Sequence, residues 1–511
     1  MLDEPILVLE TRDGTIAATL PETLARLCDG SLLGFDGLLA HQLHAWELFL
    51  YQLTALALLL AGEEQAAEDD AAWRALADPA AWRSRLAALT PGAETAWSPI
   101  VADLTRPAFL QPPIPSGRLD GYAVAGRTPD EIDLLITAKV HDVKAARLAD
   151  SAPRHWCFAL VSLQTQQGYS GRGNFGIARM NGGFGSRPMA MVTPGRSLAA
   201  RFRRGVQAAL AARSEVLENP DGLFSRQGTG LLWLLPWDRE DSIALRTLDP
   251  LFIEVCRRLR LTAEPDGNIL AWGRPSEVPR VAVLKELKGH LGDAWTPVAV
   301  KDAAALTVGG GGFDYRMVGR LLNREEFHLP VGMQAREGDP PDDTWLRLSV
   351  LVRGQGKTEG LHERWERIPP AARRGLGKAS LGKISGLMLK PVEDAKKALS
   401  FGLRLFVQGA PEKLKRDDDR PKPILDAFEQ RVDAVFLEHL FGHLTASEDG
   451  DPGRDWTEKV VALAREAFAE GQARLSPPDS RRDKARAVSG IAFQRSLRKA
   501  GLIQTGSESD E

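Results

Sequence analysis

After about residue 370 the sequence settles into a single period. The stretches 391–407, 424–443, 456–475 and 482–502 carry apolar residues at 3- and 4-residue steps, the spacing of one helix face. In the third, Trp456, Val460, Leu463, Ala467 and Phe468 fall on one side. The joins EKLKRDDDRPKP and SEDGDPGRD are charged and hold Pro or Gly, as helix connections do. A helix with one apolar face needs a partner for it, so four in succession with polar joins predict an antiparallel four-helix bundle over 371–511. The closing acidic residues, GSESDE, are expected to be a disordered tail.

Residues 1–370 read differently. ILVLETRDGTIAATL (6–20) gives two short strands joined at Asp13-Gly14, a strong hairpin turn, and 20–29 reads as a short helix. The most apolar stretch, 41–62, is interrupted by His44, Glu47 and Gln52, so a buried core helix is expected there and not a membrane span. Trp73, Trp82 and Trp97 follow. GLLWLLPW (230–237) and TWLRLSVLVR (344–353) suit strands or buried segments between Gly/Pro loops. The fold class is therefore α+β: a mixed domain of helices and short sheets over 1–370, then the helical bundle. Two domains also suit 511 residues, more than one ordinary core holds.

Composition excludes several classes. The chain is 43% apolar and 26% charged with net charge −3, so a nucleic-acid or membrane partner can be announced only locally. Three scattered cysteines (Cys28, Cys157, Cys256) predict neither a disulfide framework nor a cysteine zinc site, and fit a reducing cytoplasm. MLDEPILVLETRDG has no basic region before an apolar run, unlike a signal peptide.

The local signal is GYSGRGNFGIARMNGGFGSRP (168–188), with seven glycines in 21 residues. Gly171, Gly173 and Gly176 match G-x-G-x-x-G, but a dinucleotide loop needs a helix directly after it and an acid about 20 positions on. Here a second glycine cluster follows, and residues 151–214 hold no Asp or Glu at all. The same window holds nine arginines: Arg154, Arg172, Arg179, Arg187, Arg196, Arg201, Arg203, Arg204 and Arg213. Arginine forks suit phosphate and glycines let backbone N–H groups approach it, while Tyr169, Phe175 and Phe184 can stack on bases or anchor the loop. A phosphate-backbone contact and a solvated basic loop both fit.

Other motifs fail their tests. Gly356-Lys357-Thr358 lacks the glycine of a phosphate-binding loop, since Leu351 stands five residues before Gly356. His439 and His443 share a helix face without a third ligand, which reads as packing. GGGG at 309–312 is either a hinge or a close-approach turn. No nucleophile–base pair and no carboxylate cluster resembling a two-metal site is recognisable by spacing, so spacing by itself marks no catalytic, cofactor or metal site.

Four landmarks nevertheless stand in a known order. These are PAFLQ (107–111), KVHDVKAAR (139–147) leading into CFALVSLQTQQ, the double glycine cluster ending in NGGFGSRP, and GQGKTEGLHERW (354–365) before the predicted bundle. In them the chain resembles the CasA family, large subunits of the type I-E Cascade complex of CRISPR immunity. The resemblance spans essentially the whole chain.

It implies a non-enzymatic, cytoplasmic subunit of an RNA-guided complex, with no membrane role. Such a subunit recognises the protospacer-adjacent motif in double-stranded target DNA, wedges the strands apart to start R-loop formation, and recruits a helicase-nuclease. Its partners would be the guide RNA and the backbone, small and guide 5′-end subunits. By position, Gly171, Arg172, Gly173, Asn174, Asn181, Gly182, Gly183, Phe184 and Arg187 match the loop that probes the motif from the minor groove. Lys357, Thr358 and Glu359 match the strand-separating wedge, where other members carry Asn and Gln. Lys139, Val140, His141, Asp142 and Lys144 match the loop touching the guide's 5′ end and neighbouring subunits. Arg280, Lys285 and Lys288 all fall near the family's minor-groove lysine finger. Two other functions remain open at this point: a nucleotide-dependent enzyme using the glycine loops, and a purely structural ribonucleoprotein assembly subunit.

Overall fold

The helix Ala40–Ala61 is buried over most of its length, and its polar interruptions find partners inside the protein. His41 Nε2 lies 2.7 Å from Asp133 Oδ1, which Gln42 also reaches through the other carboxylate oxygen. Gln52 Nε2 donates to the carbonyls of Leu251 and Phe252 at 3.1 and 3.0 Å. Glu47 accepts from Arg201 at 2.7 Å and from Arg347. By length and composition this helix could cross a membrane, yet its apolar faces are covered by protein, as a buried core helix requires.

The computed structural model describes residues 1–67, 70–134, 151–182, 186–219, 222–238, 240–334, 336, 339, 343–353, 358–373, 379–415, 417–443 and 452–503. By contacts the chain divides into Met1–Phe313 with His328–Arg367, and Asp314–Phe327 with Ile368–Glu511.

In the first unit the hairpin Leu7–Thr11/Gly14–Ala18 forms, with its turn one residue earlier than read: Thr11 stands opposite Gly14, so Arg12 and Asp13 make the turn and Gly14, at φ 116°, opens the second strand. Helices Pro153–Gln166 and Leu198–Glu218 pack on the core helix. Gly205 of the latter lies under Tyr51, where a Cβ would stand 2.3 Å from the ring. The strand Thr344–Arg353 is central to a sheet, antiparallel to Met189–Pro194 on one side and to Thr358–Arg367 on the other. A second sheet pairs Ile269–Arg274 with Ala123–Gly126 and Arg258–Ala263. GLLWLLPW is a buried segment more than a strand: only Thr229–Leu231 is extended, and a 3₁₀ turn Leu232–Leu234 follows. Trp73, Trp82 and Trp97 are sealed, their indole N–H groups donating to Ala67 O, Leu76 O and Thr90 Oγ1.

The second unit is helical, with Ala379–Val407, Lys422–His443, Pro452–Arg474 and Arg482–Lys499. Trp456, Val460, Leu463, Ala467 and Phe468 are buried, as their spacing predicts. The first helix begins earlier than the sequence indicates and runs through Pro391. Proline removes one N–H and costs about 3 kcal/mol in a helix interior, which burial of Leu381, Met388, Val392, Leu399 and Leu403 offsets. The segment Asp314–Phe327 belongs to this unit, with Tyr315 Oη donating to Glu429 at 2.8 Å.

Candidate functional site

The helix Pro153–Gln166 delivers the chain into the glycine segment. Ile177 N donates to Gln167 O at 3.0 Å and closes a loop at its base, while Asn174 N donates to Gly171 O and Ser170 N to Asn174 O at its tip. The two limbs touch at Gly176, whose Cβ would lie 2.9 Å from the backbone of Gly168. Arg257 staples them, donating to Gly168 O at 2.9 Å, Ser170 Oγ at 3.1 Å and Phe175 O. Gly171 and Gly173 sit at φ 119° and 80°. Gly171 faces open space, Arg172 is exposed, and Gly173 packs on Pro275, with Ser276 N donating to its carbonyl. Asn174 is half-buried.

Most of the arginine bias turns inward. Arg179, Arg187, Arg201, Arg204 and Arg213 are buried and paired with Glu254, Asp293, Glu47, Asp339 and Asp249, every acid lying outside the acid-free window. Arg179 also donates to Phe252 O and Pro250 O and stacks 3.8 Å over the Phe252 ring. Burial lowers it to about 10, so it remains charged at neutral pH. Arg187, expected at the DNA-contacting surface, is corrected: its Nε binds Asp293 Oδ2 at 2.7 Å and the side chain is 1% exposed. Of the nine, Arg172 and Arg196 are exposed, and Arg196 lies within cation–π reach of Trp345 and Trp365.

The second glycine cluster starts on Glu254, whose Oε1 accepts from Ala178 N and Arg179 N. Asn181 is half-buried and Gly182, at φ 72°, is exposed with open space at its Cα. Gly183 and Phe184 lie outside the described residues. Against Met180 and Asn181 sits Gly289, whose Cβ would meet Asn181 N at 2.7 Å, so the fold brings this tip beside Lys288. Lys288 itself holds Asp302 at 2.8 Å. Lys285 is exposed. Arg280 is corrected as a finger: it is 5% exposed, donates to Pro236 O and Leu235 O, and packs over Trp237. Burial lowers it to about 10.

The hairpin Thr344–Arg353/Thr358–Arg367 carries the wedge positions at its turn. Lys357 lies outside the described residues. Thr358 points inward: it is 1% exposed, and Oγ1 donates to Leu134 O at 2.5 Å. A register shift between Val352 and Arg353 puts Arg353 opposite Thr358 and turns both inward, so Thr358 is corrected as a wedge side chain. Glu359 is half-buried, its Oε2 3.3 Å from where a Gly310 Cβ would stand. In the GGGG run the close approach is at Gly312, at φ 67° and pressed on His362, while Gly309 and Gly311 face open space. Lys139, Val140, His141, Asp142, Lys144 and the 504–511 tail also lie outside the described residues.

Two further positions shape the region without a signal in the sequence. Arg257 holds the first glycine loop, and Arg353 reaches Gln167, Thr358 and Leu134 together. PAFLQ is a structural knot: Leu110 sits at φ 55°, Ala108 and Gln111 bridge each other, and Gln111 bonds Pro99 O, Phe109 O and Leu261 N. His439 bonds its own helix at Val435 O and packs on Trp456, the packing role read from sequence. Among the described residues no group of three His, Cys, Asp or Glu could hold a metal.

No protein-family model and no curated protein matches the chain. Solved structures do. Thermus thermophilus CasA (Cse1) superposes at a TM-score of 0.63 with 16% identity, covering 98% of each chain. The chain has the Cse1/CasA fold. Thermobifida fusca Cse1 matches at 0.60 with 14% identity over 99% of this chain and 98% of its own. A chain of a CRISPR RNA-guided surveillance complex matches at 0.56 with 14% identity, over 97% and 98%. The Cse1/CasA fold therefore extends through both units of this protein, mixed and helical.

Proposed function

We propose that this chain is the large subunit of an RNA-guided surveillance complex and probes duplex DNA with its glycine segment. The observation that carries the reading is the Cse1/CasA fold along nearly the full length of both chains, shared with a chain of such a complex. In this reading the subunit does no bond chemistry. It inspects the adjacent motif, opens the first base pairs, joins the guide RNA and neighbouring subunits through the 139–147 segment, and recruits a helicase-nuclease.

The local chemistry supports the division of labour. A minor groove about 6 Å wide admits backbone more readily than side chains, and Gly171 and Gly182 offer backbone with open space beside the Cα. Exposed Arg172 supplies a phosphate contact that fixes register without reading sequence. With Thr358 turned inward, Lys357 and Glu359 are left to enter the opened step, where unstacking costs a few kcal/mol and guide pairing then carries opening forward.

The test uses the assembled complex and a duplex library with randomised bases beside the target. Wild type should select a motif. Arg172→Glu/Gly182→Asp places two acids where each has room, so it should assemble normally and lose about tenfold or more in duplex affinity. Equal affinity of wild type and variant removes the glycine segment from the interface. Wild-type binding indifferent to the flanking bases would favour the assembly-only role.

A further inference from the structure

In the helical unit the helix Ala379–Val407 keeps one stripe out of the bundle core. Glu393, Lys397, Phe401 and Arg404 follow one another at 3- and 4-residue steps, and Phe401 is 43% exposed. Beside the stripe lies an open cavity of about 930 Å³ whose apolar lining is Phe401, Leu414 and Leu425. Its size is near the upper end of the roughly 300–1,000 Å³ usual for ligand pockets. Cations outnumber acids around it: Arg316, Lys396, Lys397, Arg404 and Lys413 against Glu393 and Glu412.

Hydrogen bonds within the unit fix two of its walls. Glu429 gathers one: its Oε1 accepts from Arg316 Nη2 at 2.6 Å and from Lys396 Nζ at 2.9 Å, and its Oε2 from Tyr315 Oη at 2.8 Å. Burial opposes ionisation of Glu429, but Arg316, Lys396 and Tyr315 outweigh it and hold its pKa below the ordinary value. Gln408 holds the other wall. Its Nε2 donates to Lys415 O and its Oε1 accepts from Lys415 N, both at 2.9 Å, closing the loop that carries Lys413 and Leu414. Arg404 Nε adds a bond to Asp418 O at 3.4 Å. A groove fixed in advance costs little ordering entropy when it is filled.

The lining discriminates between occupants. A nucleic-acid backbone needs a row of available cations, and here Arg316 and Lys396 already share Glu429 while Glu393 and Glu412 stand at the rim. Lys397 and Lys413 remain exposed. Lys397 and Arg404 are seven residues apart along the helix, about 10 Å, with Phe401 between them. Apolar surface set between two cations fits an apolar side chain flanked by carboxylates.

We propose that this groove is a docking site for an acidic protein segment. An aliphatic or aromatic side chain of the segment sits on Phe401 and Leu425, and carboxylates about 10 Å apart reach Lys397 and Arg404. The proposal is independent of any role for the glycine segment.

The test pans a library of random dodecamer peptides, displayed on phage, against the full-length protein. Enriched peptides are then synthesised and titrated by fluorescence polarisation. They should share an apolar residue with Asp or Glu on both sides. Phe401→Ser should weaken them about tenfold, the loss typical of an interface anchor, and Lys397→Glu/Lys413→Glu by a similar factor, each with unaltered melting. Glu412→Lys, which removes a rim acid, should tighten the same peptides several-fold, a gain that misfolding does not produce. Equal affinity of wild type and Phe401→Ser for the enriched peptides overturns the inference, as does a selection without an acid-flanked consensus. A short oligodeoxythymidylate that displaces the peptides, and is weakened by Lys397→Glu/Lys413→Glu but not by Phe401→Ser, would make the groove a nucleic-acid surface and overturns it too.

Discussion

Arg187 Nε donates to Asp293 Oδ2 at 2.7 Å across 106 residues of sequence, and both side chains are almost sealed from water. Burial opposes ionisation of Asp293, but Arg187 outweighs it and holds the carboxyl below the usual range. The window without acids thus meets its counter-charges from elsewhere in the fold. Removing one partner of such a pair strands a buried charge. Arg187→Ala should cost about 3–5 kcal/mol, read as a lower urea midpoint with unchanged slope. Arg172→Ala, at an exposed site, should stay within about 0.5 kcal/mol. Equal effects of the two would contradict the division of arginines into internal and surface sets.

What was legible in the sequence was local. The first hairpin was legible one residue off: its two-residue turn is Arg12-Asp13, and Gly14, opposite Thr11, already opens the second strand. The face of Trp456, Val460 and Leu463 showed through helical periodicity. The arginine window misled because composition counts charges and says nothing of partners 106 residues away. Thr358 misled for a related reason: one register shift at Val352/Arg353 changes which side chains face inward, and nothing in GQGKTEG marks that slip. Arg353 was invisible as a hub because its acceptors, the Leu134 carbonyl, the Thr358 hydroxyl and the Gln167 side-chain oxygen, come together only in the fold.

Acid should weaken the first unit before it reaches the carboxylate range. His44 is buried with Nδ1 3.1 Å from Ser349 Oγ, and burial, helped by Arg347 and Arg187, lowers it to about 3. An unfolded histidine titrates near pH 6.5. Below that pH the unfolded chain binds a proton that the native chain refuses, so stability is complete above about 6.5 and falls as pH drops. Burial shifts His290 of the same unit in the same direction. Glu47 adds to the loss only at lower pH: burial opposes its ionisation, Arg201 and Arg347 outweigh that, and its pKa lies below the ordinary value. Melting temperature should fall from pH 7 to 5, and His44→Gln should flatten, not abolish, that slope. An unchanged slope would remove His44 as a contributor.

Gly205 predicts an inverted substitution effect. In an exposed helix interior, Gly→Ala stabilises by up to about 1 kcal/mol. Here a Cβ would stand 2.3–2.5 Å from the Tyr51 ring, which is itself buried in the core helix. Gly205→Ala should therefore destabilise by about 1–3 kcal/mol, the usual range for overpacking, measured by thermal or urea melting. Gly490→Ala, with open space at its Cα in the helix Arg482–Lys499, should behave in the ordinary way and stabilise slightly.

Lys285 and Arg280 separate binding from folding within five residues of chain. Lys285 is exposed on a 3₁₀ turn, two residues before Leu287 and the turn that packs on Asn181. Arg280 is buried on Trp237 with its guanidinium on two backbone carbonyls. If Lys285 neutralises one phosphate, Lys285→Gln should leave melting unchanged and lower the slope of log affinity against log salt by about 0.9 for duplex DNA. Arg280→Gln should do the reverse, lowering the melting temperature while the salt slope of the folded complex stays as in wild type, because Arg280 has no path to a phosphate. Salt titrations of duplex binding alongside thermal melts of the same preparations decide both points. A changed salt slope in Arg280→Gln with an unaltered melt would place that guanidinium at the DNA after all.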